Sequence, residues 1–338
     1  MTSRELVYNT LSFKNHTQQI PRQMWVLPWA WDKYGETIGK IQAEFPDDII
    51  TAQAVYNEPP KQVGDPYKKG IYIDPWGCTF ENIHEGIIGE VKQPMILQDD
   101  DDWDSVEKVH LPYEYLSFDT DRVNEFCAAS DKFILADFYA RPFEQLQFIR
   151  GTENLFVDLM DPPPKMLEFI AQMHKLYCEI FEKWAKTDVD ALFFMDDWGS
   201  QNSLLISPAL WCKFFKPLYK DYIDIAHKYG KKIFMHSDGY TLDIIPHLIE
   251  LGLDALNCQI FCMGADKLEQ FKGKLTFWGE IDRQRILPYG SEDDVKAAVH
   301  KVYKTLWDNG GCIAQLEFGP GAKPENVYRA FSSWAEIG

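Results

Sequence analysis

His236 and Asp238 stand two residues apart in Lys231-Lys-Ile-Phe-Met-His-Ser-Asp-Gly-Tyr240, directly after the apolar run 233–235. A His and a carboxylate so placed can ligate a metal, exchange a proton or clamp a substrate. They can equally be a buried histidine held by its neighbour. Other apolar runs end in the same way: Asp196 and Asp197 follow 191–195, Asn257 closes 254–257, Glu280 and Asp282 follow 275–279, and Glu317 ends 312–317. Gln53, Asp137, and Trp29 with Asp32 complete the series. One such residue reads as a cap or a satisfied loop carboxylate, whereas a ring of them converging on one mouth points to use.

Within the ring, His236, Asp238 and Glu317 are the expected metal ligands, because one imidazole with two carboxylates suits zinc or another divalent ion. The alternative is acid/base work, with a carboxylate raising the pKa of His236. Asp196 and Asp197 are adjacent in a strand, so their side chains leave opposite faces and only one enters the mouth directly. Asp197 is expected to act with His236. Trp29, Asp196, Trp198, Gln201 and Asn257 are expected to meet substrate.

The elements that must carry these groups are eight apolar strands, at 24–28, 48–53, 133–138, 191–196, 232–236, 254–257, 275–280 and 312–317, alternating with helical segments. They lack the polar alternation of a half-exposed antiparallel sheet, so a parallel sheet covered on both faces is implied. Eight such units predict an α/β fold, a (β/α)8 TIM barrel, whose chemistry sits at the C-terminal strand ends. A β-hairpin-containing insertion of about 54–118 interrupts the pattern after the second strand, and the whole of 1–338 reads as one domain. The absence of a Gly-rich loop after any strand argues against a nucleotide-binding doubly wound sheet. The acidic run 99–102, with Asp104, reads as a solvated loop or helix start rather than a cation site.

A formal charge of −18 over 338 residues argues against nucleic acid and anionic membrane surfaces as partners. Seven scattered cysteines without a C-x-x-C read as thiols in a reducing compartment. With no apolar signal region near the N-terminus, the expectation is a cytoplasmic protein. A homodimer is left open. Aromatic residues make up 14% of the chain. They leave Trp25, Trp29, Trp31, Trp76 and Trp198 as candidates to wall a pocket, with core packing the alternative for each.

Met195-Asp-Asp-Trp-Gly-Ser-Gln201, Ile206-Ser-Pro-Ala-Leu-Trp211, the 227–239 stretch, Gly252-Leu-Asp-Ala-Leu-Asn257, Trp278-Gly-Glu-Ile-Asp282 and Pro324-Glu-Asn-Val327 together resemble the uroporphyrinogen decarboxylase superfamily. The likeness runs from about residue 130 to the end and is looser before it. It implies a (β/α)8 barrel and one of two activities: cofactor-free decarboxylation, or methyl transfer to or from a corrinoid protein in zinc-dependent enzymes. The decarboxylases carry a Met-Arg-Gln-Ala-Gly-Arg-Tyr motif whose arginines hold substrate carboxylates. Here that region reads Leu27-Pro-Trp-Ala-Trp-Asp32. The decarboxylase serine falls on Asp197, and its late histidine falls near Phe318. In the methyltransferases, a His-x-Cys and a later Cys hold zinc. His236 matches the first ligand, Asp238 replaces the first Cys, and Glu317 or Phe318 stands near the last. Oxygen donors make a harder, more Lewis-acidic centre than thiolates do. The resemblance therefore implies transfer of a methyl group from a small O-methyl or N-methyl compound to cobalamin supplied by a partner corrinoid protein, as in O-demethylation. A lyase or decarboxylase acting on a smaller acid, and a non-catalytic binding member, are the alternatives.

Overall fold

The computed structural model describes residues 1–17, 19–97 and 103–337. The acidic run 99–102 lies outside the described residues.

Eleven strands form two sheets among the described residues. They are β1 (Arg22–Val26), β2 (Ile49–Ala52), β3 (Gly70–Ile73), β4 (Thr79–Asn82), β5 (Glu90–Val91), β6 (Phe133–Ala140), β7 (Ala191–Met195), β8 (Lys232–Ser237), β9 (Ala255–Cys258), β10 (Thr276–Trp278) and β11 (Cys312–Phe318). Eight of them pair in the order β1-β11-β10-β9-β8-β7-β6-β2, every ladder parallel. Helices connect the strands, so the sheet curls into the expected (β/α)8 barrel. Backbone and side-chain hydrogen bonds draw its two end strands together. Asp48 N–H donates to the Arg22 carbonyl at 2.8 Å, and the Asp48 and Asp47 carboxylates accept from the Arg22 and Met24 N–H groups at 2.9 and 2.8 Å.

The insertion after β2 carries the second sheet, an antiparallel β3-β4-β5. It is a three-stranded sheet rather than a lone hairpin, because the two residues of β5 add to the far edge of β4. One further element differs from the sequence reading. Pro28 opens the helix Pro28–Glu44 instead of closing a strand. Its missing N–H costs nothing at a first helical position.

Two apolar clusters follow from the two faces of the barrel sheet. Ile49, Phe133, Leu135, Ala191, Phe234, Ala255, Trp278 and Ile313 fill the interior, and Val7 and Leu11 of the helix Ser3–Leu11 pack on them from below. The outward residues Leu192, Phe194, Ile233, Met235, Leu256, Phe277, Ala314 and Leu316 join the larger cluster under the helices. With a side-chain period of two, every second residue above Phe193, Phe234, Ala255 and Ile313 also faces inward. That rule places Asp197, His236, Asn257, Gln315 and Glu317 inside the barrel's C-terminal end and sends Asp196 out.

Candidate functional site

His236 is the fifth residue of β8 and is 92% shielded, with 8% relative exposure. Its orientation is fixed from β9. Asn257 Nδ2 donates to the Trp278 carbonyl and, at 2.8 Å, to Gln315 Oε1. A backbone carbonyl only accepts, so the Asn257 amide must turn its oxygen toward His236, where Oδ1 lies 2.6 Å from Nδ1. Nδ1 therefore carries the proton, and Nε2 is the free atom that faces the mouth. The Trp25 ring packs 5.5 Å from the imidazole and edge-on to Trp278.

Two carboxylates meet Nε2. Asp197 Oδ1 lies at 3.5 Å and Asp238 Oδ1 at 3.7 Å, and ligand atoms of all three residues fall within 4.8 Å of one another. The loops after β7 and β8 hold this spacing by touching. Asp238 N–H donates to Asp197 Oδ1 at 2.8 Å, and Gly199 N–H donates to the Asp238 carbonyl at 3.1 Å. A Cβ on Gly199 would sit 2.1 Å from the Tyr240 nitrogen, and one on Gly239 would sit 2.0 Å from the Gly199 carbonyl oxygen. Only glycine fits either position.

A guanidinium closes the other side. Arg283 binds Asp238 Oδ2, reaches Glu317 Oε1 at 2.9 Å and faces Glu280 Oε1 at 3.5 Å. Glu317, expected beside His236, is thus held by Arg283 and is not part of the three-residue group, in which Asp197 stands instead. Asp238 Oδ1 remains buried without a hydrogen-bond partner.

The mouth holds more acid than its cations neutralise. Burial raises the Asp197 carboxyl, and Asp238 adds to the shift against the pull of His236. Burial also lifts Glu280 well above the usual carboxylate range, and Arg283 only partly offsets it. Burial lowers His236, but Asp238 and Asp197 outweigh it, with Asn257 helping, so its pKa is raised overall. Such a group of atoms takes up protons or a cation.

The remaining expected residues fall in several places. Asp196 points outward and is fully buried, accepting from Tyr219 Oη at 2.5 Å and from Glu144 N–H at 2.8 Å. Trp198 is core: it stacks on Phe143 at 4.1 Å and donates from Nε1 to Tyr219 Oη at 2.8 Å. Neither can meet a substrate in the mouth. Their expected role is corrected by the strand period for Asp196 and by the aromatic layer under the helices for Trp198. Gln201 is exposed and lines a small cleft, open to solvent, with Gln259, Cys262, Glu280 and Arg283. Trp29 stands half-buried in the first turn of the helix Pro28–Glu44, under Lys33 Nζ at 4.0 Å from its ring centroid. Trp76 is core and Trp31 is exposed. Asp282 caps its own turn by accepting from the Gln284 and Arg285 N–H groups.

Sequence reasoning missed Arg283 and Glu144. Glu144 lies in the first turn of the helix Pro142–Arg150, with Oε2 buried and unpartnered. Burial, followed by the charge of Asp197, pushes its pKa far up, against the pull of Arg141. Neither carries a distinguishing signal in the sequence: Arg283 stands in the polar run 282–285, and Glu144 reads as an acidic first-turn residue of its helix.

A family model described as uroporphyrinogen decarboxylase (URO-D) matches residues 73–336. The chain belongs to the uroporphyrinogen decarboxylase family. No curated protein matches it. Among solved structures, it is similar to a methyltransferase from Methanosarcina mazei, with TM-score 0.67 and 12% identity, over 100% of this chain and 99% of the other. It is also similar to a B12-independent methionine synthase from Shewanella sp. W3-18-1, with TM-score 0.48 and 14% identity, over 90% and 86% of the two chains. At 12% identity the likeness to the methyltransferase is one of fold. No helix among the described residues is long and apolar enough to cross a membrane.

Proposed function

We propose that this family member is a corrinoid-dependent methyltransferase, moving a methyl group from a small O-methyl or N-methyl compound to cobalamin held by a partner corrinoid protein. One observation carries the reading: His236 Nε2 converges with Asp197 and Asp238 at the barrel mouth, where Asp238 Oδ1 is buried and unpartnered. The donor set of one imidazole and two carboxylates fits zinc or another divalent cation, with Asp197 taking the place that the sequence reading gave to Glu317. Bound there, such an ion supplies Lewis acidity toward the oxygen or nitrogen that loses its methyl group.

The chain's own groups do the rest. Asn257 keeps the Nδ1 proton in place and so keeps Nε2 available. Arg283 draws Glu317 and Asp238 Oδ2 aside, which leaves Asp238 Oδ1 facing His236. Trp25 shields the imidazole from water on the barrel side. A decarboxylase acting on a polycarboxylate needs open cationic clamps, and Arg283 is already shared among three carboxylates of the chain itself.

Two measurements test the reading. Metal content after metal-replete purification should fall by one equivalent in His236→Ala. Methoxy-compounds and methylamines should be screened for methyl transfer to cob(I)alamin, followed by its absorbance. Unchanged metal content in His236→Ala removes the cation from the mouth. Failure across the whole panel with loaded protein removes the methyltransferase.

A further inference from the structure

Outside the barrel, a second group of ligand-type side chains bridges two helices. His174 and Cys178 are one turn apart on the helix Pro164–Ala185, so they share a face. Asp221 comes from the helix Lys216–Lys228. Asp221 Oδ2 lies 2.9 Å from His174 Nε2, Cys178 Sγ lies 3.6 Å from the same nitrogen, and the three ligand atoms fall within 4.8 Å of one another. Tyr222 Oη lies 3.2 Å from His174 Nδ1, and its ring packs 6.0 Å from that of Phe194, an outward residue of β7. The barrel wall therefore separates this group from His236.

We propose that His174, Cys178 and Asp221 form a second site, for a zinc-class divalent cation, that ties these two helices together on the outside of the barrel. Bonds of about 2.0–2.3 Å at tetrahedral angles put neighbouring ligand atoms about 3.3–3.6 Å apart, and the two measured spacings bracket that range. A thiolate, an imidazole and one carboxylate exclude magnesium and calcium and select a softer ion. Tyr222 supplies the partner that a metal-bound imidazole needs on its other nitrogen. Asp221 is half exposed, so the site opens to solvent and a water can complete the coordination. The protons balance. In the free protein the Nε2 proton faces the Asp221 carboxylate and Nδ1 accepts from Tyr222. On binding, His174 stays neutral with its proton on Nδ1, donated to Tyr222, and the Cys178 thiol releases one proton to water.

The test uses the full chain and cobalt(II) in place of zinc. Wild type and His236→Ala should both show the near-ultraviolet thiolate-to-cobalt charge-transfer band, and Cys178→Ser should lose it together with one equivalent of bound ion. Circular dichroism checks the fold of each variant. Asp221→Asn, a change at a half-exposed position, provides a second variant and should weaken the band-forming ion at least tenfold. Absence of the band in wild type, its survival in Cys178→Ser, unchanged affinity in Asp221→Asn, or its loss in His236→Ala alone overturns the proposal. The last result would put the thiolate at the mouth. Because each site has its own variant, failure here is separate from failure of the methyltransferase reading.

Discussion

Replacing Asn257 tests whether the site is oriented from beneath. Asn257→Ala removes a buried amide that serves the Trp278 carbonyl, Gln315 Oε1 and His236 Nδ1 at once. Three buried polar groups lose their partner, each costing on the order of 1–3 kcal/mol, so a stability loss of about 3 kcal/mol or more is expected. The imidazole also loses what fixes its tautomer and ring angle. Loss of such a partner lowers metal affinity roughly 10–100-fold. Asn257→Asp separates the two effects. A carboxylate still accepts from Nδ1–H but cannot donate to the Trp278 carbonyl, so stability should fall while most metal affinity remains. The assay is chelator competition for zinc in a Cys178→Ser background, alongside urea denaturation. Wild-type affinity in Asn257→Ala, or equal loss in both variants, would refute the orienting role.

Three further outcomes follow from the same geometry. Arg283→Met leaves Asp238, Glu280 and Glu317 without their shared cation, and urea melts should show a loss of about 3–5 kcal/mol, the scale for breaking a buried pair from one side. Asp196 has its pKa pushed up to about 8 by burial, against the opposing hydrogen bond from Tyr219. The folded state thus holds a proton that the unfolded state releases above its ordinary value of 3.8, so stability falls as pH rises between about 4 and 8, by about 1.4 kcal/mol per pH unit. Asp196→Asn should flatten that slope in melts taken across the range, and an unchanged slope would contradict the assignment. Gly199→Ala forces a methyl into the Tyr240 backbone. It should cost about 1–3 kcal/mol in thermal or urea melts and weaken metal binding at the mouth.

The barrel was legible because its strands are continuous apolar runs separated by helices, a pattern that suits few folds. The strand period also foretold that only one of Asp196 and Asp197 would enter the mouth, and the same period places the inward residues of β8, β9 and β11. Carried one step further, that logic also sends Trp198 outward: it shares the parity of Leu192, Phe194 and Asp196, and the aromatic layer of Phe143, Tyr219 and Phe215 claims it. The other misses lie beyond the reach of the period. Glu317 does face inward, but its partner depends on Arg283, which sits in a loop whose course no spacing rule supplies. Glu144 resembles an ordinary acidic first-turn residue of a helix, and only the three-dimensional approach of Asp197 distinguishes it. The insertion was visible as β-structure, its third strand included, but not the turn between Ile73 and Thr79 that makes β3 and β4 two strands.

The contact between Gly199 and Gly239 bears on how this barrel can change. Two loops that meet backbone to backbone, with no room for a methyl group, cannot drift independently, so Asp197 and Asp238 are inherited as one rigid part. New substrates must then be accommodated from the other sectors of the rim: the insertion, whose Gly86 carbonyl accepts from Trp29 N–H, and the segment around Arg283 and Arg285. Variation confined to those sectors would retune what enters the mouth while the atoms around His236 stay in place.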